Sequence, residues 1–146
     1  RETLKSGDAI LFELSGVYRR YYSPLMRGAV IGRNPQAEHL AAVCIEALNA
    51  AIDAVKPGAT SGEVDAASRA VIERAGLWEN YRKRTGYAVG IGFSSWVEGA
   101  IASLKADDPT VLQPGMCFHI PVALRIYGVC GLGFSETVAV TETGVE

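Results

Sequence analysis

Apolar and polar residues alternate near both ends of the chain, whereas the middle shows helical spacing. Residues 9–14 (AILFEL) and 26–32 (MRGAVIG) are predicted as strands joined through residues 15–24. Residues 35–55 are predicted as a helix with Pro35 in its first turn. The apolar stripe of that helix consists of Leu40, Cys44, Leu48, Ile52 and Val55.

A second helix is predicted over residues 60–76. Thr60 and Glu63 fit a capping box, and Gly76 occupies the position where a glycine commonly ends a helix. The later part of the chain is strand-like again, at residues 86–93, 115–128 and 134–144. Strands, two helices and further strands indicate an α+β domain with a largely antiparallel sheet.

Composition narrows the class of protein. The 146 residues suffice for one domain, 49% of them are apolar, and the net charge of −2 comes without a basic stripe. We therefore expect no binding to nucleic acid and no association with membranes. Cys44, Cys117 and Cys130 lack metal-site spacing, so free thiols and a cytoplasmic location are expected. The chain starts without Met, and we expect it to be part of a longer protein.

His119 is the first candidate for chemistry. Alternation places Met116, Phe118, Ile120 and Val122 on one strand face, and Cys117, His119 and Pro121 on the other. His119 is either a core residue satisfied by a backbone carbonyl, or an acid, base or substrate contact in a cleft. A Cys117/His119 metal pair would lack a third ligand. His39, in contrast, belongs to the polar face of the first helix.

Two glutamates lie inside apolar runs. Glu13 interrupts AILFEL, and Glu136 shares a face with Phe134 and Val138. A buried carboxylate needs a partner or a raised pKa. One interpretation is an ion pair with Arg19, Arg20 or Arg27, or an edge strand that reaches water; the other is a carboxylate facing a binding cleft.

Glycine-rich segments occur at GYAVGIG (86–92) and GVCGLG (128–133). Neither matches a nucleotide-binding motif, so both are interpreted as tight turns or close backbone approaches.

The order of these motifs resembles the creatinase/aminopeptidase superfamily, whose members have the pita-bread fold. The resemblance rests on GDAILFEL, YYSPLMRGAVIG, GYAVG, QPGMCFHIPV and SETVAVTETGVE, and it extends from Gly7 to Glu146. It implies a curved antiparallel sheet with helices on its outer face. Residues 1–146 would form the C-terminal portion of such a domain, with the upstream portion absent.

Peptidases of this superfamily hold two divalent metals through five side chains. The resemblance assigns those five positions to Glu13, Pro24, Tyr87, Pro121 and Ser135. Proline has no side-chain ligand, and one carboxylate cannot organise a dinuclear centre. The resemblance therefore implies no metal, no other cofactor and no metallopeptidase mechanism.

The metal-free members include creatinase and the ectoine hydrolases, and the likeness is stronger to the latter. It implies hydrolysis of a C–N bond in a small cationic or zwitterionic amidine or guanidine, with ectoine-type ring opening as the expected reaction, in a homodimer. Glu13 would bind the cation or attack its carbon, Glu136 or His119 would move protons, and Tyr87 would contact the reacting centre. Tyr21 and Tyr22 would form walls of the site, and Arg19 or Arg20 would bind a substrate carboxylate.

Two alternatives remain from the sequence. One is a non-catalytic domain of this fold that binds peptides or proteins. The other is a Xaa-Pro-type metallopeptidase with an altered metal site.

Overall fold

Two long antiparallel hairpins and two helices make up most of the computed structural model, which describes residues 3–81, 84–91 and 102–146. The elements follow in chain order, with a short 3₁₀ turn at Trp78–Asn80 after the second helix. They are β1 (Ala9–Tyr18), β2 (Tyr21–Val30), α1 (Pro35–Ala54), α2 (Ser61–Arg74), β3 (Gly86–Ala88), β4 (Ser103–Leu104), β5 (Cys117–Ile126) and β6 (Cys130–Ala139).

The first hairpin is longer than the sequence predicts. Strands β1 and β2 pair from Ala9↔Val30 to Tyr18↔Tyr21, so only Arg19 and Arg20 form the turn. The prediction of a connection over residues 15–24 was wrong. Both arginines have positive φ, 49° and 71°, as a two-residue turn of type I′ requires. Because neither is the glycine or asparagine that usually marks this turn, sequence patterns did not reveal it.

Both predicted helices are confirmed. Helix α1 starts with Pro35 directly after Asn34, whose side chain accepts a hydrogen bond from the Ala37 N–H. Helix α2 has the predicted capping box between Thr60 and Glu63. Gly76 follows its end with φ of +70°, a conformation that costs glycine no side-chain clash.

The remaining strands form a four-stranded antiparallel sheet in the order β4-β3-β5-β6. Strand β5 agrees with the prediction, and β6 begins earlier, at Cys130, because the glycine-rich segment 128–133 contributes strand residues after its turn. Strand β3 is only three residues long, and residues 92 and 93 of the predicted strand lie outside the described residues.

One face of this sheet packs on the helices. Phe118, Ile120, Val122 and Leu124 of β5 are fully buried in one core with Leu40 and Cys44 of α1. The predicted alternation along β5 is thus confirmed. The opposite face, here called the His119 face, carries Tyr87, His119, Pro121, Ser135 and Thr137.

Within the described part of the chain, neither helix is both long and apolar enough to span a bilayer.

Candidate functional site

Tyr87 and His119 form a hydrogen-bonded pair at the centre of the His119 face. They lie directly opposite each other on β3 and β5. The phenolic oxygen of Tyr87 is 2.8 Å from Nδ1 of His119, and the two rings meet edge to face at 80°. The sequence identified each residue separately as a candidate, and the antiparallel register brings them together.

The pair is buried. Tyr87 is 3% exposed and His119 is not exposed at all. Burial lowers the pKa of His119 from 6.5 to about 4, because the charged imidazolium would lose its hydration. His119 is therefore a neutral imidazole at pH 7. Its second nitrogen, Nε2, is also buried and has no hydrogen-bond partner among the described residues.

Gly86 allows β3 to approach β5 closely enough for this pair to form. A Cβ atom at Gly86 would lie 2.7 Å from the backbone oxygen of His119 and 3.0 Å from Leu104 Cδ1. No larger residue fits there without separating the strands. The glycine preceding Tyr87 thus marks a close backbone approach, as the sequence predicted for this segment.

Helix α2 anchors the start of β3. The carboxylate of Asp65 is fully buried, is paired with Arg69, and accepts a hydrogen bond of 3.1 Å from the Thr85 N–H. The Thr85 hydroxyl also lies 2.9 Å from the Tyr81 hydroxyl. A buried ion pair needs such additional hydrogen bonds to offset its desolvation. The sequence analysis did not identify Asp65, which holds the strand that carries Tyr87.

Arg84 contacts the other side of Tyr87. Its guanidinium carbon lies 5.2 Å from the centroid of the Tyr87 ring, within cation–π range, and Nη1 donates to Ser103 Oγ at 3.3 Å. The sequence analysis missed this residue because the contact depends on how the chain bends before β3.

Strand β6 continues the His119 face. Thr137 lies directly opposite His119, and Ser135 lies opposite Pro121. Strand β2 contacts these residues through its backbone: Met26 N–H donates to Ser135 Oγ at 2.7 Å, and Thr137 Oγ1 donates to the Pro24 carbonyl at 3.1 Å.

Glu13 belongs to the face of the first hairpin that also carries Met26 and Gly28. These two residues meet opposite faces of β6, because Met26 lies at Gly133 whereas a Cβ atom at Gly28 would meet Leu132 and Phe134. Glu13 pairs with Met26, so both side chains project from the same side of the hairpin. The Met26 side chain packs on Gly133, where a Cβ atom would lie 2.7 Å from Met26 Cε. Gly133 shares its strand face with Ser135 and Thr137. The side chain of Glu13 is exposed, in agreement with the interpretation of a glutamate that reaches water.

Glu136 lies on the other face. It alternates with Ser135 and Thr137, and its cross-strand partner Ile120 is in the helix-side core. Arg27 Nη2 lies 2.7 Å from Glu136 Oε1, with the two side chains 41% and 46% exposed. An ion pair with Arg27 was one of the interpretations of this glutamate in the sequence analysis. The structure does not bring Glu136 to the Tyr87–His119 pair.

The other predicted substrate contacts lie at the tip of the first hairpin. Arg19 stacks on Tyr18, with 5.4 Å between its guanidinium carbon and the ring centroid. Tyr21 is 59% exposed and forms an isolated bridge with Ile91, while Tyr22 N–H donates to the Gly90 carbonyl. Tyr22 shares the hairpin face of Glu13, and Tyr21 projects from the opposite face.

The five residues that the resemblance places at metal-ligand positions do not fit a dinuclear metal centre. Pro24 and Pro121 have no side-chain donor, and Ser135 Oγ already accepts a hydrogen bond from Met26. Within residues 3–81, 84–91 and 102–146, no three His, Cys, Asp or Glu side chains come together as a metal site would require. The Cys117/His119 pair likewise gains no third ligand there.

The chain belongs to metallopeptidase family M24, whose family profile matches residues 1–142. It is 32% identical to ectoine hydrolase of Halomonas elongata over 97% of this chain and 35% of that protein. It is 28% identical to the Xaa-Pro dipeptidase of Pyrococcus furiosus over 98% of this chain and 40% of that protein.

The fold is that of solved proteins of this family. The prolidase of Pyrococcus horikoshii superposes with a TM-score of 0.88 at 27% identity, covering 99% of this chain and 41% of the prolidase. The predicted α+β, pita-bread architecture is confirmed. The chain spans 35% to 41% of the length of these relatives.

Proposed function

We propose that this chain is the C-terminal portion of a pita-bread domain in a metal-independent hydrolase. The reaction is cleavage of a C–N bond in a small amidine or guanidine, with ectoine-type ring opening as the specific case. The observation that carries the proposal is the buried, hydrogen-bonded Tyr87–His119 pair, in a part of the chain where the described residues bring no three metal-ligand side chains together. The likeness to ectoine hydrolase supports the substrate class.

In this mechanism Glu13 binds the cationic end of the substrate. A carboxylate forms charge-assisted hydrogen bonds to an amidinium, and its exposed position on the hairpin leaves it accessible to a small molecule. A Glu13 oxygen then attacks the amidine carbon, a C–O bond forms as the C–N bond breaks, and water releases the product. His119, held by Tyr87, moves the proton to the leaving nitrogen.

The test is turnover by the full-length protein after treatment with a chelator. Ectoine, 5-hydroxyectoine, creatine and a Xaa-Pro dipeptide are incubated separately, and bond cleavage is followed by NMR. We expect cleavage of an amidine or guanidine without metal, and a loss of at least about 100-fold in Glu13→Gln. Ser15→Ala, which changes an exposed neighbour on the same hairpin face, is the matched control.

Three results contradict the proposal. Dipeptide cleavage that returns only with manganese or cobalt indicates a metallopeptidase with an altered site, as in the dipeptidase relatives. Full activity of Glu13→Gln removes Glu13 from the mechanism. Binding without turnover of any of the four compounds favours the non-catalytic domain, for which the Arg27–Glu136 ion pair is the supporting observation.

A further inference from the structure

The hydrogen bond between Tyr87 and His119 has a preferred direction. An imidazole nitrogen has a reference pKa near 6.5, whereas a phenolic proton is lost near 10. The imidazole nitrogen is therefore the better acceptor, and the phenol is the better donor. The 2.8 Å contact between Tyr87 Oη and His119 Nδ1 is then an O–H···N bond in which Tyr87 donates.

Arg84 strengthens this preference. Its guanidinium lies over the Tyr87 ring, 5.2 Å from the centroid, and Ser103 helps to hold it there. A cation over the ring draws electron density from the phenol, which makes the oxygen a weaker acceptor and the O–H a stronger donor.

The proton of a neutral histidine occupies one ring nitrogen only. If Nδ1 accepts from Tyr87, the proton of His119 is on Nε2. Nε2 is buried and has no hydrogen-bond partner among the described residues. A buried N–H donor without an acceptor is destabilising, so this position is suited to a ligand that brings an acceptor.

We propose that Tyr87, with Arg84 as a second positioning residue, holds His119 as an Nε2–H donor. The substrate atom that meets Nε2–H is then a hydrogen-bond acceptor: it is the leaving nitrogen once Glu13 has added to the amidine carbon, and not a nitrogen of the free amidinium cation. The assignment of the substrate group rests on the proposed function, whereas the direction of the hydrogen bond does not.

The proton balance of the hydrolase follows from this arrangement. As the C–N bond breaks, the leaving nitrogen keeps the electron pair and takes the proton from Nε2. Nδ1 takes the proton of Tyr87, whose phenolate is stabilised by Arg84. The water that releases the product returns one proton along the same path, so that Tyr87 and His119 regain their initial states.

The first experiment is ¹⁵N NMR of histidine-labelled full-length protein at neutral pH. His119→Gln assigns the signals, and His39, exposed on α1, is an internal reference. We expect a pyridine-type shift at Nδ1 and a pyrrole-type shift at Nε2. The reverse pattern would overturn the proposal, because Nδ1 would then carry the proton and Tyr87 would accept it.

Variants test the two positioning residues. Tyr87→Phe keeps the ring but removes the donor. We expect the ¹⁵N shifts of Nδ1 and Nε2 to move toward each other, because both neutral tautomers of His119 would then be populated. Arg84→Met should move the Nδ1 shift in the same direction, and Arg84→Lys should restore it, because lysine also supplies a cation. Arg74→Met, which alters an exposed ion pair with Glu46, is the matched control. An unchanged Nδ1 shift in Arg84→Met rejects the role of Arg84.

Acetate and acetamidine serve as probes of the substrate group. Acetate carries only acceptors, and acetamidinium carries only donors. We expect acetate to move the Nε2–H proton resonance and acetamidinium to leave it in place; the opposite result, or no response to acetate, overturns the acceptor assignment. A protein with this NMR behaviour that cleaves no amidine would refute the proposed function alone.

Discussion

The two sheets place the two halves of the candidate site in opposite surroundings. His119 and Tyr87 belong to a sheet whose other face is sealed by the helices, and both are almost fully buried. Glu13 belongs to a hairpin in which every residue from Leu11 to Tyr18 is exposed. The buried sheet therefore favours a neutral imidazole, whereas the open hairpin keeps a carboxylate in contact with water. This difference in burial is the reason why the proposed function gives proton transfer to His119 and cation binding to Glu13.

The largest expected effect compares two phenylalanines in this chain. Phe118 is fully buried on β5, whereas Phe12 is 51% exposed on β1. We expect Phe118→Ala to lower the free energy of unfolding by about 3 to 5 kcal/mol because it leaves a cavity. Phe12→Ala should lower the free energy of unfolding by less than about 1 kcal/mol. Urea unfolding monitored by circular dichroism measures both. Equal losses would show that another part of the protein covers the hairpin, and the comparison would fail.

Lowering the pH should reduce the free energy of unfolding, because His119 is buried as a neutral imidazole. Unfolded His119 takes up a proton near pH 6.5, whereas folded His119 does so only near pH 4. The unfolded state therefore binds more protons between these values, and stability falls as the pH falls through this window. At about 1.4 kcal/mol per pH unit, the free energy of unfolding should fall by about 3 kcal/mol from pH 7 to pH 4.

The pH effect is isolated by comparing unfolding curves of the wild-type chain and His119→Gln. The variant lacks the titrating group, so its stability should depend less steeply on pH between 6.5 and 4. Parallel curves for the two proteins would mean that His119 does not titrate as its burial requires.

A smaller effect is expected where β3 meets β5. Gly86→Ala places a methyl group 2.7 Å from the His119 carbonyl, and backbone atoms cannot move away cheaply. We expect the free energy of unfolding to fall by about 1 to 3 kcal/mol, as for an overpacked core. The Nδ1 resonance of His119 should also shift. Gly90→Ala is the matched control, since its added Cβ meets nothing within 4 Å. Equal stability of the two variants would show that β3 tolerates a wider spacing.

The smallest effect concerns the ion pair on the helix-side face. The side chains of Arg27 and Glu136 are both more than two fifths exposed. Glu136→Gln should therefore lower the free energy of unfolding by only about 0.2 to 1 kcal/mol. If the pair is structural, turnover by the full-length variant should stay within a few-fold of the wild type. A loss of about 100-fold or more at unchanged stability would instead make Glu136 a catalytic proton donor, as the sequence first suggested.

The residues of the site were easier to predict than their arrangement. The sequence analysis selected both Tyr87 and His119, the first through its resemblance to a known family and the second through strand alternation. It grouped Glu136 with them, although Glu136 lies on the other face of β6. Arg84 and Asp65 were missed, because an arginine in a short connection or an aspartate in an amphipathic helix has no distinctive pattern. Asp65 acts through Thr85, twenty residues along the chain, and Arg84 is held over the nearby Tyr87 ring by Ser103 of β4.

The sequence by itself determined what depends on near neighbours: the helix ends and the alternation along β5. Helix capping and strand alternation are local properties, so Thr60, Glu63 and Gly76 were sufficient to delimit α2. Only the tertiary structure decided that Tyr87 meets His119 and that Arg27 meets Glu136. Strand register and burial are set by packing across the whole domain, and these two properties determine which side chains meet and which remain neutral.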